Sequence, residues 1–131
     1  MSKGIIYGFD ITKYATDPDH EVRIAAMAKK INVLVVDQID KYITSRAPNS
    51  PITGAMIYEA ANKYNLGSGG ISVMVALMQN DSMFGTKGKG SRSHNPGNVG
   101  NDDTGAIKDW GTWEKGVDAV AKWLFKHRVA A

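Results

Sequence analysis

The chain has 131 residues, no cysteine, 43% hydrophobic and 22% charged residues, and a formal net charge of +3. Those figures describe one ordinary globular domain, able to bury a core without cross-links, and they exclude a disulfide framework and a thiolate metal site. The basic excess is small and scattered rather than gathered into a Lys/Arg block, so nucleic acid is not expected as a partner, whereas an anionic polymer surface suits it.

The opening segment, residues 1–16, is mixed and ends in a turn. Met1 to Asp10 carries no long apolar stretch and no small-residue cleavage site, so no Sec signal peptide is expected. Gly8-Phe9-Asp10-Ile11-Thr12-Lys13-Tyr14 resembles the opening strand of a barrel-type lysozyme family, but a (β/α)₈ barrel needs ~200 residues or more, so the likeness is read as coincidence. The longest apolar run, Val33-Leu34-Val35-Val36, is far short of the ~20 residues that span a bilayer, so no transmembrane segment is expected.

Asp17-Pro18-Asp19-His20-Glu21 reads as a helix start, with Asp17 as cap, Pro18 at the first position, and Asp19 and Glu21 complementing the dipole. Ile24, Met27, Ala28, Ile31, Leu34, Val35, Ile39, Tyr42 and Ile43 follow at helical spacing. The spacing predicts one long scaffold helix over residues 17–47, weakened locally by β-branched residues from Ile31 to Val36 and ended by Pro48. Its apolar stripe is a candidate surface for virion or self-association. A second helix starts near Thr53, or at Ser50 if Pro51 is its first residue, and runs to about Tyr64. It buries Met56, Ile57, Ala60, Ala61 and Tyr64. Asn65-Leu66-Gly67 stops it, with glycine in the left-handed position.

The apolar run Val73-Met74-Val75-Ala76-Leu77-Met78 fits either a buried strand or a core helix. Ser68-Gly69-Gly70 as a start, two methionines and Gly85 as a stop favour a core helix from about Gly70 to Ser82. Residues 85–111 hold too much glycine for one regular element; a short strand at Ala106-Ile107-Lys108, within a small β-ribbon, is the expectation there. Thr112 caps a last helix through Arg128, with Trp113, Val117, Val120, Ala121 and Leu124 on one face.

Two motifs stand out. Gln79-Asn80-Asp81-Ser82-Met83-Phe84-Gly85-Thr86 closes the core helix, and Asn95-Pro96-Gly97-Asn98-Val99-Gly100-Asn101 follows in the loop. Together they resemble the active-site region of the lysozyme-like superfamily of peptidoglycan glycosidases, which includes lytic transglycosylases and flagellar-type glucosaminidases. The resemblance covers roughly residues 51–124. Those proteins usually read Glu-Ser-x-Phe-Gly, the Glu being the catalytic acid; here the position holds Asp81. The resemblance implies a single lysozyme-like domain of mainly α (α+β) class over residues 1–131, with a glycosidase-like core at 51–128. It implies cleavage of the β-1,4 MurNAc/GlcNAc glycan of peptidoglycan and no cofactor. The protein would be a virion component or reach the cell wall by another non-Sec route. The alternative is a weak or inactive relative that binds cell wall or builds a virion.

On the residues themselves, Asp81 is the candidate general acid, set between an apolar wall (Met78, Met83, Phe84) and a polar surface where a carboxyl pKa can be raised. Gln79, Ser82, Thr86, Asn95, Asn98, Val99, Asn101 and Trp110 are candidate substrate contacts: amides and hydroxyls for sugar groups, an indole for a sugar face. Lys87, Lys89 and Arg92 suit an anionic wall polymer. Asp102, Asp103, Asp109 and Glu114 are available as a second carboxylate, each with a turn, cap or surface role as the plainer reading. With no evident partner acid, the resemblance favours the transglycosylase route, in which one acid suffices. His20, His94 and His127 stand in unrelated contexts, so no metal site is expected.

Overall fold

The computed structural model describes residues 5–6, 9–10, 19–31, 36–101 and 107–129. Within them the fold is mainly helical. The elements are β1 (Ile5–Ile6), β2 (Phe9–Asp10), α1 (His20–Ile31), α2 (Val36–Arg46), α3 (Gly54–Lys63), α4 (Gly67–Ser82), α5 (Gly88–Arg92) and α6 (Trp113–Lys126).

Helix α4 is the axis of the molecule. Its run Val73 to Met78 is wholly buried, apolar on every side, and it packs against α1, α3, α5 and α6. A helix apolar all round is stable only where neighbours enclose it. The choice between strand and helix for this run thus resolves as helix, beginning one turn before the expected Gly70.

Helix α3 begins where its cap dictates. Thr53 is extended, and its Oγ1 accepts the Met56 N–H at 3.2 Å. Thr53→Ala should lower stability by about 1 kcal/mol, read as a drop in the urea midpoint. The helix ends in a Schellman turn: Leu66 N–H donates to the Ala61 carbonyl at 2.9 Å and Asn65 N–H to Asn62 at 3.2 Å. The left-handed residue of that turn is Asn65 (φ 53°), while Gly67 (φ 70°) opens α4. Glycine was the expected residue; asparagine tolerates the same conformation.

The single helix expected over 17–47 is instead two, α1 and α2; residues 17, 18 and 32–35 lie outside the described residues. Met27 and Tyr42 would stand roughly 22 Å apart along one straight helix, yet both line one cleft of about 310 Å³. The two helices therefore do not share one straight axis.

Of the strand expected at residues 106–108, Ile107 and Lys108 form no strand, and 102–106 lie outside the described residues. The two-stranded sheet is at the other end of the chain, where Ile5 pairs with Asp10 and Ile6 with Phe9. Phe9 is buried and bridges to Arg128 beyond α6. Arg128 in turn donates from Nη1 to the Asn65 carbonyl at 2.8 Å, tying both chain ends to the α3–α4 corner. Among the described residues, no helix is long and apolar enough to cross a membrane.

Candidate functional site

Four consecutive residues at the end of α4 point in four directions, about 100° apart. Gln79 faces α2, its Oε1 accepting the Tyr42 hydroxyl at 2.6 Å. Asn80 faces α1: its Oδ1 accepts from Arg23 Nε at 3.2 Å, and its Nδ2 lies 3.1 Å from Nδ1 of buried His20. An amide nitrogen only donates, so His20 Nδ1 accepts there. Ser82 faces the asparagine loop, its Oγ donating to the Pro96 carbonyl at 2.6 Å and accepting the Gly85 N–H at 2.9 Å. Asp81 takes the remaining direction, between the start of α1 and the loop.

Asp81 is half-buried as a residue, with its Oδ2 shielded from solvent. Its Oδ1 accepts from Asn80 Nδ2 at 3.2 Å, and Asn98 Nδ2 approaches its backbone carbonyl at 3.5 Å. The apolar side expected beside it is present in Met78 and Phe84, both fully buried, and half-buried Met83.

The turn after Ser82 is strained and held. Met83 (φ 46°), Phe84 (φ 55°) and Gly85 (φ 80°) are left-handed in succession. Two non-glycine residues in that region cost about 1–2 kcal/mol each. Burying the whole Phe84 side chain returns about 1.5–3 kcal/mol. Its ring meets Tyr42 edge-on at 6.3 Å, and Ser50 Oγ donates to its carbonyl at 2.7 Å. At Gly85 the Trp113 ring lies where a side chain would be, 2.7 Å from a notional Cβ. Trp113 thus packs the core side of α6.

The loop of Asn95 to Asn101 is organised from within. Asn95 has no solvent exposure; its Nδ2 donates to the Val99 and Lys108 carbonyls, each at 2.9 Å, and its Oδ1 accepts the Val99 N–H at 2.9 Å. Trp110 Nε1 also donates to the Val99 carbonyl, at 3.2 Å. Asn101 Nδ2 donates to Asn98 Oδ1 at 3.2 Å, and its own Oδ1 accepts the Lys108 N–H at 2.8 Å. Buried polar groups must be satisfied internally, and Asn95 does that for a segment with no regular ladder. Asn95→Ala should lower stability by about 2–3 kcal/mol, since it strands several buried partners; denaturant titration measures it.

The candidate contacts therefore divide. Ser82 and Asn95 are buried and fully engaged, which removes them from direct contact with a ligand and makes them supports. Val99 has both backbone groups committed to Asn95. Thr86 donates to the Met83 carbonyl at 2.7 Å and belongs to the turn. Gln79 points roughly opposite Asp81, into the cleft between α1 and α2. Asn98, Asn101 and Trp110 are half-buried, and of the three Asn98 reaches towards Asp81, at its backbone carbonyl. The asparagine loop is packed directly on the end of α4, through Ser82 and Pro96, rather than standing across a gap from it.

No family model matches the chain, and no curated protein or solved structure matches it. Its function must be read from its own residues.

Of the possible second carboxylates, Asp102 and Asp103 lie outside the described residues. Asp109 is a turn residue: the Gly111 N–H and His94 hold its carboxyl below the usual carboxylate range. Glu114 is exposed in the first turn of α6 and lines a separate cleft of about 200 Å³ with Glu59, Lys63 and Asp118. Lys87, Lys89 and Arg92 are exposed around α5. Among the described residues no group of three His, Cys, Asp or Glu side chains is placed to hold a metal ion. His20, Arg23 and Tyr42, which meet Asn80 and Gln79, carry no signal for the site in the sequence, and Asn80 lies in the motif without a role of its own there. They sit in unremarkable helical positions, and only the packing of α1 and α2 on α4 collects them.

Proposed function

We propose that the chain cleaves the β-1,4 glycan of peptidoglycan on a lysozyme-like framework, with Asp81 as the general acid. The observation that carries this reading is the four-way divergence at the end of α4. It leaves one carboxylic acid at the rim of a buried helix, between the start of α1 and an asparagine loop. The motif on which the resemblance stands supplies the same pairing of acid and loop.

In this mechanism the Asp81 carboxyl donates its proton to the glycosidic oxygen as the C1–O bond breaks. The 6-hydroxyl of the same muramyl residue attacks C1 and returns its proton to the carboxylate, closing an anhydro ring and restoring the acid. No second carboxylate is required. Asn80 orients the acid through Oδ1, Ser82 fixes the helix end, and Asn98, Asn101 and Trp110 meet the sugar.

One observation favours a second reading, a cell-wall-binding or virion structural protein with weak or no chemistry. Asp81 Oδ2 is shielded, and an aspartate carboxyl stands about 1.5 Å closer to its backbone than a glutamate's would. Digestion of purified cell walls followed by mass analysis of the soluble fragments separates the two. Fragments lighter by one water than the reducing-end sugars are expected. Reducing-end fragments would refute the anhydro route, and no fragments, with the protein still sedimenting on insoluble walls, would establish the binding role.

A further inference from the structure

His20 opens α1 as a buried polar residue, 2% exposed, and the glycosidase mechanism makes no direct use of it. We propose that His20 is a positioning residue for Asp81, locking the Asn80 amide so that its N–H faces the acid. The lock rests on the proposed function only for the reaction that it serves.

The partners of Asn80 decide which end of its amide faces where. Arg23 Nε lies 3.2 Å from one end, and a guanidinium only donates, so that end is the oxygen. The nitrogen lies 3.1 Å from His20 Nδ1 and 3.2 Å from Asp81 Oδ1, with one amide hydrogen for each. His20 Nδ1 must therefore keep its lone pair, which puts the ring proton on Nε2. An imidazolium, or the other tautomer, would aim N–H at N–H. His20 and Arg23 are three residues apart and share one face of α1, so a single helix holds Asn80 by both ends. The two anchors are unequal. The Arg23 contact is exposed, where water competes for it, whereas the His20 contact is half-buried and His20 itself is enclosed. His20 is the firmer of the two.

The direction of the amide matters to the acid. With the Asn80 N–H on Oδ1, the transferable proton of Asp81 belongs on Oδ2. A reversed amide would present its oxygen to Oδ1, accept the acid's proton there and hold it back from a glycosidic oxygen. A histidine buried only to fill space needs no particular tautomer and is replaceable by any ring of its size.

The test begins on the unmodified, ¹⁵N-labelled full chain. Long-range ¹H–¹⁵N spectra at neutral pH report which ring nitrogen of His20 carries the proton. Nε2–H is expected, with a ¹⁵N–¹⁵N coupling across the hydrogen bond from Asn80 Nδ2 to His20 Nδ1. Nδ1–H, an imidazolium, or no coupling to Asn80 would overturn the lock. That arm needs no variant, so it decides even where a substitution prevents folding. In digestion of solubilised wall glycan, His20→Phe should lower kcat about tenfold with KM unchanged, the worth of one hydrogen bond acting on the reacting acid. His20→Asn, whose Oδ1 can stand where Nδ1 stands, should restore most of that loss. Equal losses in the two variants would overturn the role in favour of packing, and so would full activity in His20→Phe. A wild type with the lock and no cleavage upholds the lock and removes the glycosidase; cleavage with the wrong tautomer does the reverse.

Discussion

Asp81→Asn lowers the rate of glycan cleavage by about 10²–10⁴-fold, the range expected for loss of a positioned general acid. The substitution keeps the size of the side chain and its Oδ1 acceptor, so the hydrogen bond from Asn80 Nδ2 survives. It replaces the carboxyl oxygen that carries the transferable proton with an amide nitrogen that cannot give one up. Turbidity loss of cell walls should therefore fall while the variant keeps a cooperative urea transition. Equal rates would take Asp81 out of the mechanism. Asp81→Glu makes the complementary measurement. It advances the carboxyl by about 1.5 Å, and a 1 Å misplacement at a reacting centre can cost ~10²-fold. An active wild type slowed by this change means that the groove fits aspartate. An inactive wild type restored by it means that the chain has the framework without the reach.

Much of the helical framework is legible in the residues because it depends on short-range rules. Thr53 and Thr112 cap α3 and α6 at the expected places, each accepting the N–H three residues on. The buried face of α6 includes Val117, Val120, Ala121 and Leu124 as their spacing requires. The break between α1 and α2 is different in kind. The apolar positions keep helical spacing through it, so the pattern cannot distinguish one rod from two helices that share a cleft. The roles of the loop asparagines are hidden for a related reason. Asn95, Asn98 and Asn101 are alike in sequence, and turn chemistry and sugar recognition ask for the same amide. Only the zero exposure of Asn95, against the half-burial of the other two, assigns the first to support. Asn80 shows the converse: between Gln79 and Asp81 it looks incidental, and its importance depends on where α1 docks.

Gly116→Ala should destabilise the protein by about 1–2 kcal/mol, although the intrinsic rule points the other way. Inside a helix, alanine is favoured over glycine by roughly 1 kcal/mol. At this position on α6, however, a methyl group would overlap the His94 backbone carbonyl and come within 2.8 Å of Pro96 Cδ. Neither neighbour can yield as a flexible side chain does. His94 is itself left-handed (φ 49°), and Pro96 is clamped by Ser82 through its carbonyl. Overpacking against rigid backbone exceeds the propensity gain, so the urea midpoint should fall, whereas Lys122→Ala on the exposed side of α6 should shift it by no more than about 0.5 kcal/mol. The consequence reaches the site. Displacing residues 94–96 pulls on the Ser82–Pro96 bond that seats the end of α4, so cleavage by Gly116→Ala should drop about tenfold at temperatures where the variant is still folded. Unchanged cleavage in a folded, destabilised variant would mean that the loop can shift without carrying the acid with it.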